Sequence, residues 1–162
     1  MVAAWLLPAL VLAPAPVPAS EQAAVIGRAE VVDGDSLLVE SVKVRLFGID
    51  APEVGQYCKG SDGSRWPCGQ YATVALDRLA GGRAVRCEVK DTDSWGRKVC
   101  VCKLGDDRDL SEAMVTAGWA LAYRRFSNDY ADDETRAESQ GVGIWRGSML
   151  PPWKWRADRR GH

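Results

Sequence analysis

Histidine is nearly missing from this chain: the single one, His162, is the last residue. Roles that need an internal imidazole, as general base or zinc ligand, are thereby excluded. An excess of positive charge is missing too. The 21 basic and 22 acidic residues leave a formal charge of −1, unlike the overall basicity of a typical nucleic-acid binder. A local basic cleft remains compatible with that total, because steering follows the local field. Charged side chains are wholly absent from residues 1–20. The apolar run from Ala3 to Ala13 is too short and proline-interrupted to span a bilayer. It resembles a secretory apolar core, with Val17-Pro18-Ala19 as a small-residue cleavage site, although no Lys or Arg precedes it. Residues 1–19 are therefore read as a signal peptide or apolar leader. A secreted or periplasmic location is expected, with no stable membrane association.

The C-x-x-C spacing of a zinc knuckle is also lacking. The five cysteines are Cys58, Cys68, Cys87, Cys100 and Cys102. Cys58 and Cys68 flank a Gly/Ser-rich loop that a disulfide would staple, as expected of an exported protein. Arg83 to Lys90 alternates Val85, Cys87 and Val89 with charged residues, and Arg97 to Leu104 alternates as well. If Val85 opposes Leu104 in a hairpin, Cys87 opposes Cys102 at bridging distance. A shift of two residues would pair Cys87 with Cys100 instead. The Cys87–Cys102 register is preferred, leaving Cys100 over.

A length of 162 residues suits one domain, and 46% hydrophobic with 27% charged residues suits a packed one. Val25 to Ile49 reads as a three-strand meander with turns at Asp33-Gly34 and near Glu40-Ser41. Gly69 to Leu79 reads as a helix with Tyr71, Val74, Ala75 and Leu79 on one face, stopped by Gly81-Gly82. Asp109 caps a short helix ending near Ala117, with Gly118 behind it. Trp119 to Tyr123 reads as extended, and Asp129 to Ser139 as a polar helix closed by Gly141. Residues 25–147 form the domain and 148–162 a basic, tryptophan-rich tail, read as a disordered or packing tail and not as a binding arm. Five short strands with interspersed helices fit an α+β barrel.

Two acidic clusters bracket an arginine: Val32-Asp33-Gly34-Asp35-Ser36, then Arg45-Leu46-Phe47-Gly48-Ile49-Asp50-Ala51-Pro52-Glu53. A second arginine closes Asp93-Ser94-Trp95-Gly96-Arg97. Carboxylates suit a hard cation and guanidiniums suit phosphate, so one site offering both points to metal-assisted phosphodiester cleavage. Each piece alone has a plainer reading. Asp33-Gly34 is a strong hairpin-turn signal. It does not begin an EF-hand loop, since Leu37 and Val44 fall where that loop needs oxygen ligands. Arg45 could be a structural ion pair and Arg97 a surface arginine.

Taken together, in this order and spacing, the three motifs resemble the staphylococcal-nuclease-like, or thermonuclease, family, from about Val25 to Trp145. The resemblance implies an OB-fold, a five-stranded β-barrel with about three packed helices. It implies one Ca2+ ion held by Asp35, Asp50 and the backbone carbonyl of Ala51, with Asp33 in the outer shell. It implies catalysis by Arg45, Glu53 and Arg97, and base contacts from Trp95 and Tyr123. The substrate would be DNA and/or RNA, cut to leave 3′-phosphate ends by a monomeric endonuclease. Ser36 and Ala51 stand where the family often has Thr. The stapled loop departs from the simplest pattern: it could shape access to the site, and its Lys59 and Arg65 could touch a phosphate backbone. The alternatives are an OB-fold binding module without hydrolysis and an exported structural protein that merely binds calcium.

Overall fold

A computed structural model describes residues 23–161. The leader with its cleavage site, and His162, lie outside the described residues. The chain runs β1 (Ala24–Val31), β2 (Ser36–Val39), β3 (Val42–Leu46), β4 (Ile49–Asp50), β5 (Cys58–Gly60), β6 (Arg65–Trp66) and α1 (Cys68–Ala80). It continues through β7 (Ala84–Thr92), β8 (Lys98–Leu104), α2 (Leu110–Thr116), β9 (Leu121–Ala122), α3 (Ala131–Gln140), a 3-10 turn (Gly143–Arg146), β10 (Gly147–Ser148) and α4 (Pro152–Arg160).

Five strands close into a barrel in the order β1-β2-β3-β8-β7. The meander turn at Glu40-Ser41 forms with both residues at positive φ, the twist that suits a two-residue hairpin. The β7–β8 register sets Val85 against Leu104, Cys87 against Cys102 and Val89 against Cys100. Cys87 and Cys102 are disulfide-bonded, as are Cys58 and Cys68, and Cys100 is a buried free thiol. Closure comes from β3 and β8, which pair in parallel with Arg45 beside Val99. That one parallel seam matters for function. It lays Arg45, whose antiparallel partner is Ser36, next to the strand that Arg97 enters.

The main core fills the barrel with Leu37, Val39, Val44, Leu46, Val85 and Leu104, and α1 and α2 cover it with Leu76, Leu110 and Met114. The buried face of α1 is Cys68, Ala72, Leu76 and Ala80, which corrects the expected face. Tyr71 and Val74 are exposed, while Ala75 and Leu79 are only partly buried against the core. Alanines at the contact let the helix approach β1 closely, and the larger Tyr71 instead stacks on Trp119 beside Trp66. A second, smaller core gathers Cys58, Cys68, Leu121 and Ile144 with Trp145, Met149 and Trp153. Asp109 caps α2 as expected, accepting from the Ser111 and Glu112 amides. Gly141 ends α3 in the left-handed conformation. The fourth α-helix, α4, forms in the segment read as a tail.

Candidate active site

The Asp33-Gly34-Asp35 turn, the end of β3 and the β4–Pro52 segment meet at one rim of the barrel. Gly34 makes the meeting possible. A Cβ there would lie 2.7 Å from the Ala51 Cβ and 2.9 Å from that of Ala72. Any side chain would push the acidic turn away from Asp50. Gly69 plays the same part beneath Glu53, where a Cβ would come 1.6 Å from the Glu53 carbonyl oxygen.

Asp35 and Asp50 are both buried. Asp35 Oδ2 accepts from the Ala51 amide at 3.1 Å, and Oδ1 accepts from Ser36 Oγ at 3.0 Å. The Asp35 amide donates to Asp33 Oδ1 at 3.0 Å, so Asp33 supports the turn from outside. Arg45 Nη2 bridges the two aspartates, 3.2 Å from Asp35 and 2.8 Å from Asp50. Burial pushes the Asp35 carboxyl up to about 7, opposed by Arg45 and reinforced by the Asp33 and Asp50 charges. Burial works against the charge on Arg45, but Asp35 and Asp50 outweigh it and hold the guanidinium above its ordinary pKa.

Arg97 is held by Asp93, which accepts from its Nε at 2.8 Å and from its backbone amide at 3.0 Å. Its Nη1 reaches Ser36 Oγ at 3.4 Å, so the arginine faces the same rim through one hydroxyl. Burial raises the Asp93 carboxyl, but the hydrogen bonds from Arg97 outweigh it and leave the pKa below the usual range. Trp95 is 74% exposed, with the Arg97 guanidinium 5.5 Å from its ring centre. Arg45, Glu53, Trp95, Arg97 and Tyr123 all line one cleft of about 1360 Å³. Lys43, Arg124, Arg125 and Arg160 line it too, so a protein of near-neutral total charge carries a basic cleft. No residue of the stapled loop lines it. Arg65 instead stacks over Tyr57 at 4.1 Å.

Three participants were not anticipated. Arg156, from α4, grips Asp50 with both nitrogens, Nη1 at 3.0 Å from Oδ1 and Nη2 at 2.8 Å from Oδ2. Its Nη1 also lies 2.7 Å from Glu53 Oε1. Trp153 stacks flat on Tyr123, centroids 5.3 Å apart and planes at 15°. Gln56 is fully buried. Its Oε1 accepts from the Glu53 amide at 3.3 Å and its Nε2 donates to the Leu150 carbonyl at 2.6 Å, tying the Glu53 turn to the start of the tail. One sequence signal was available: Trp153, Arg156 and Arg160 are spaced three and four apart, one helical face, behind Pro151-Pro152, a good helix start.

The site fits a hard cation in its chemistry. Its donors are oxygens: the carboxylates of Asp35 and Asp50 pair with Arg45, and those of Asp50 and Glu53 with Arg156. Carboxylate and carbonyl oxygens are the ligands that a hard divalent ion takes. Among the described residues no three His, Cys, Asp or Glu side chains gather as a ready metal cage. Two carboxylates plus a backbone carbonyl need no third side chain.

Residues 43–147 match the model of the staphylococcal nuclease homologue family. The chain belongs to that family. It is 37% identical over 125 residues to the succinoglycan biosynthesis protein ExoI of Rhizobium meliloti (strain 1021), covering 75% of this chain and 65% of that one. It is 33% identical over 131 residues to the probable staphylococcal-like nuclease CAN1 of Oryza sativa subsp. japonica, covering 78% of this chain and 36% of that one. An uncharacterized endonuclease of Escherichia coli O157:H7 is 31% identical over 133 residues, with 78% and 80% covered. The chain thus spans less than two thirds of the length of the first two relatives. The family's barrel with attached helices agrees with the five-stranded α+β OB-fold described above.

Proposed function

We propose that the protein is a calcium-dependent nuclease that hydrolyses phosphodiester bonds of DNA and/or RNA and leaves 3′-phosphate ends. The observation that carries this reading is the convergence of Arg45, Glu53 and Arg97 on one cleft beside the paired Asp35 and Asp50. Relatives named as nucleases and endonucleases support it. Asp35, Asp50 and the Ala51 carbonyl would hold the ion, with Asp33 outside them. A bound calcium would neutralise a phosphate oxygen and bring a water close to phosphorus. Glu53, at the cleft wall and half-buried, takes the proton of the attacking water as general base. Arg45 and Arg97 grip the non-bridging oxygens and stabilise charge as the five-coordinate transition state forms, a task suited to a planar, permanently charged fork. The bond to the 5′ oxygen breaks, and the phosphate stays on the 3′ side. Trp95 and Tyr123 offer ring faces to flanking bases.

Secretion or export to a periplasm is part of the proposal, supported by two disulfides. No helix among the described residues is long and apolar enough to cross a membrane. The protein acts as a monomer in this reading. The test is purified protein incubated with plasmid DNA, with calcium or with chelator. Calcium-dependent loss of DNA is expected. Glu53→Ala should stay folded and cut at least about 10²-fold more slowly; unchanged turnover in that variant refutes the assignment. A binding module without hydrolysis is the second reading, favoured by one observation, the ion pairing of both Asp50 and Glu53 to Arg156. DNA bound but uncut under every divalent ion would select it.

A further inference from the structure

The described chain holds a positive charge in the place where the proposed cation must act. Arg156 takes both carboxylate oxygens of Asp50 and one of Glu53. Asp50 is fully buried, so its charge must be matched within the protein. Arg45 supplies one match at 2.8 Å, and Arg156 supplies the other. The Arg156 side chain is 29% exposed, so a path to solvent lies open behind it. The hydrogen bonds it donates to Asp50, against the cost of burial, hold its pKa above the ordinary arginine value.

We infer that Arg156 is a built-in counter-ion for the cation site, which a divalent ion must displace from Asp50 and Glu53 before the site becomes competent. This rests on the reading of Asp50 as an ion ligand and of Glu53 as the base. A carboxylate bidentate with a guanidinium has no oxygen free of a positive partner, and the base has one oxygen taken up by the same guanidinium. One helix carries both this arginine and Trp153, which covers a face of Tyr123. Withdrawal of α4 would therefore free the ion ligand, the base and a stacking surface in one movement. The supports of α4 are of a kind that can be exchanged. They are two ion pairs from one side chain and a ring stack, set in the smaller core. A seat filled by Arg156 for about 90–99% of the time would weaken apparent cation affinity about 10–100-fold.

The experiment is a calcium titration by calorimetry of the full chain, its Arg156→Gln and Arg156→Lys variants, and the Asp50→Asn variant, without nucleic acid. Arg156→Gln is expected to bind calcium about 10–100-fold more tightly than the parent. Arg156→Lys, which keeps a charge but loses the fork and serves if the glutamine variant folds poorly, should fall between them. Hydrogen exchange supplies a readout independent of turnover. Saturating calcium should speed exchange of the 152–160 amides in the parent, and in Arg156→Gln those amides should exchange fast without calcium. Equal or weaker calcium binding by both Arg156 variants, with Asp50→Asn binding none, overturns the inference and leaves the ion site intact. Calcium binding that survives Asp50→Asn overturns the ion-site reading itself, and the inference with it.

Discussion

Arg45 and Arg156 each place a nitrogen 2.8 Å from Asp50. Arg45 stands within β3, hydrogen-bonded to β2 on one side and to β8 on the other, with the barrel core beneath it. Arg156 stands on the last helix, joined to the rest by its own side chain, one aromatic stack and a small cluster. The same guanidinium chemistry thus arrives once on a fixed support and once on a removable one. The difference teaches what each support allows: in the proposed reading a fixed fork is aimed at a phosphate, while a detachable one is exchanged for a metal ion.

The comparison breaks most visibly at the fixed arginine. Arg45→Ala should lower DNA hydrolysis about 10²–10³-fold by removing a donor aimed at the transition state. It should also cost about 3 kcal/mol of stability, because Asp35 loses its closest positive partner inside the fold. Urea unfolding beside a plasmid assay measures both, and a stable, active variant would reduce Arg45 to a bystander. A smaller effect sharpens the contrast at the other support. Trp153→Ala should cost about 1–2 kcal/mol, through the lost stack and part of the small core, and should speed hydrogen exchange in α4 while β3 stays protected. Equal acceleration in β3 would mean that the two supports open as one unit. The smallest signal comes from the barrel interior. Burial pushes the Cys100 thiol up to about 11, so at pH 8 only about one molecule in 10³ carries the thiolate. Iodoacetamide should leave Cys100 unlabelled in the native protein and label it in urea, read by mass spectrometry. Rapid native labelling would show that the barrel breathes.

The fixed half of the site was readable from the chain. Strict alternation in β7 and β8 put Cys87 opposite Cys102, because a two-residue period leaves few registers once a core face exists. Asp35, Arg45, Asp50 and Glu53 lie within nineteen consecutive positions of the chain, so local geometry brings them together and a motif can carry them. Arg156 lies 106 residues beyond Asp50, and no local rule links the two. Its tail was rich in tryptophan and arginine, a composition that reads as a disordered or packing tail. What decided its place was a Trp–Tyr stack and a buried aspartate short of positive charge, both of which exist only after folding. The α1 face failed for a related reason. Large apolar residues were taken as buried, whereas the barrel selects small ones where helix and strand come close, and Tyr71 finds its partners in an aromatic cluster instead.

The Gln56–Leu150 hydrogen bond gives carboxyl-terminal trimming a threshold. Proteolysis that stops after Pro151 removes Arg156 and leaves the Glu53 turn still fastened, so light trimming would unmask the site. Proteolysis that passes Leu150 leaves a fully buried amide without its acceptor, a loss of about 1–3 kcal/mol felt directly at Glu53. If Arg156 fills the cation seat as inferred, a protease working inward would free that seat first and loosen the Glu53 turn a few residues later.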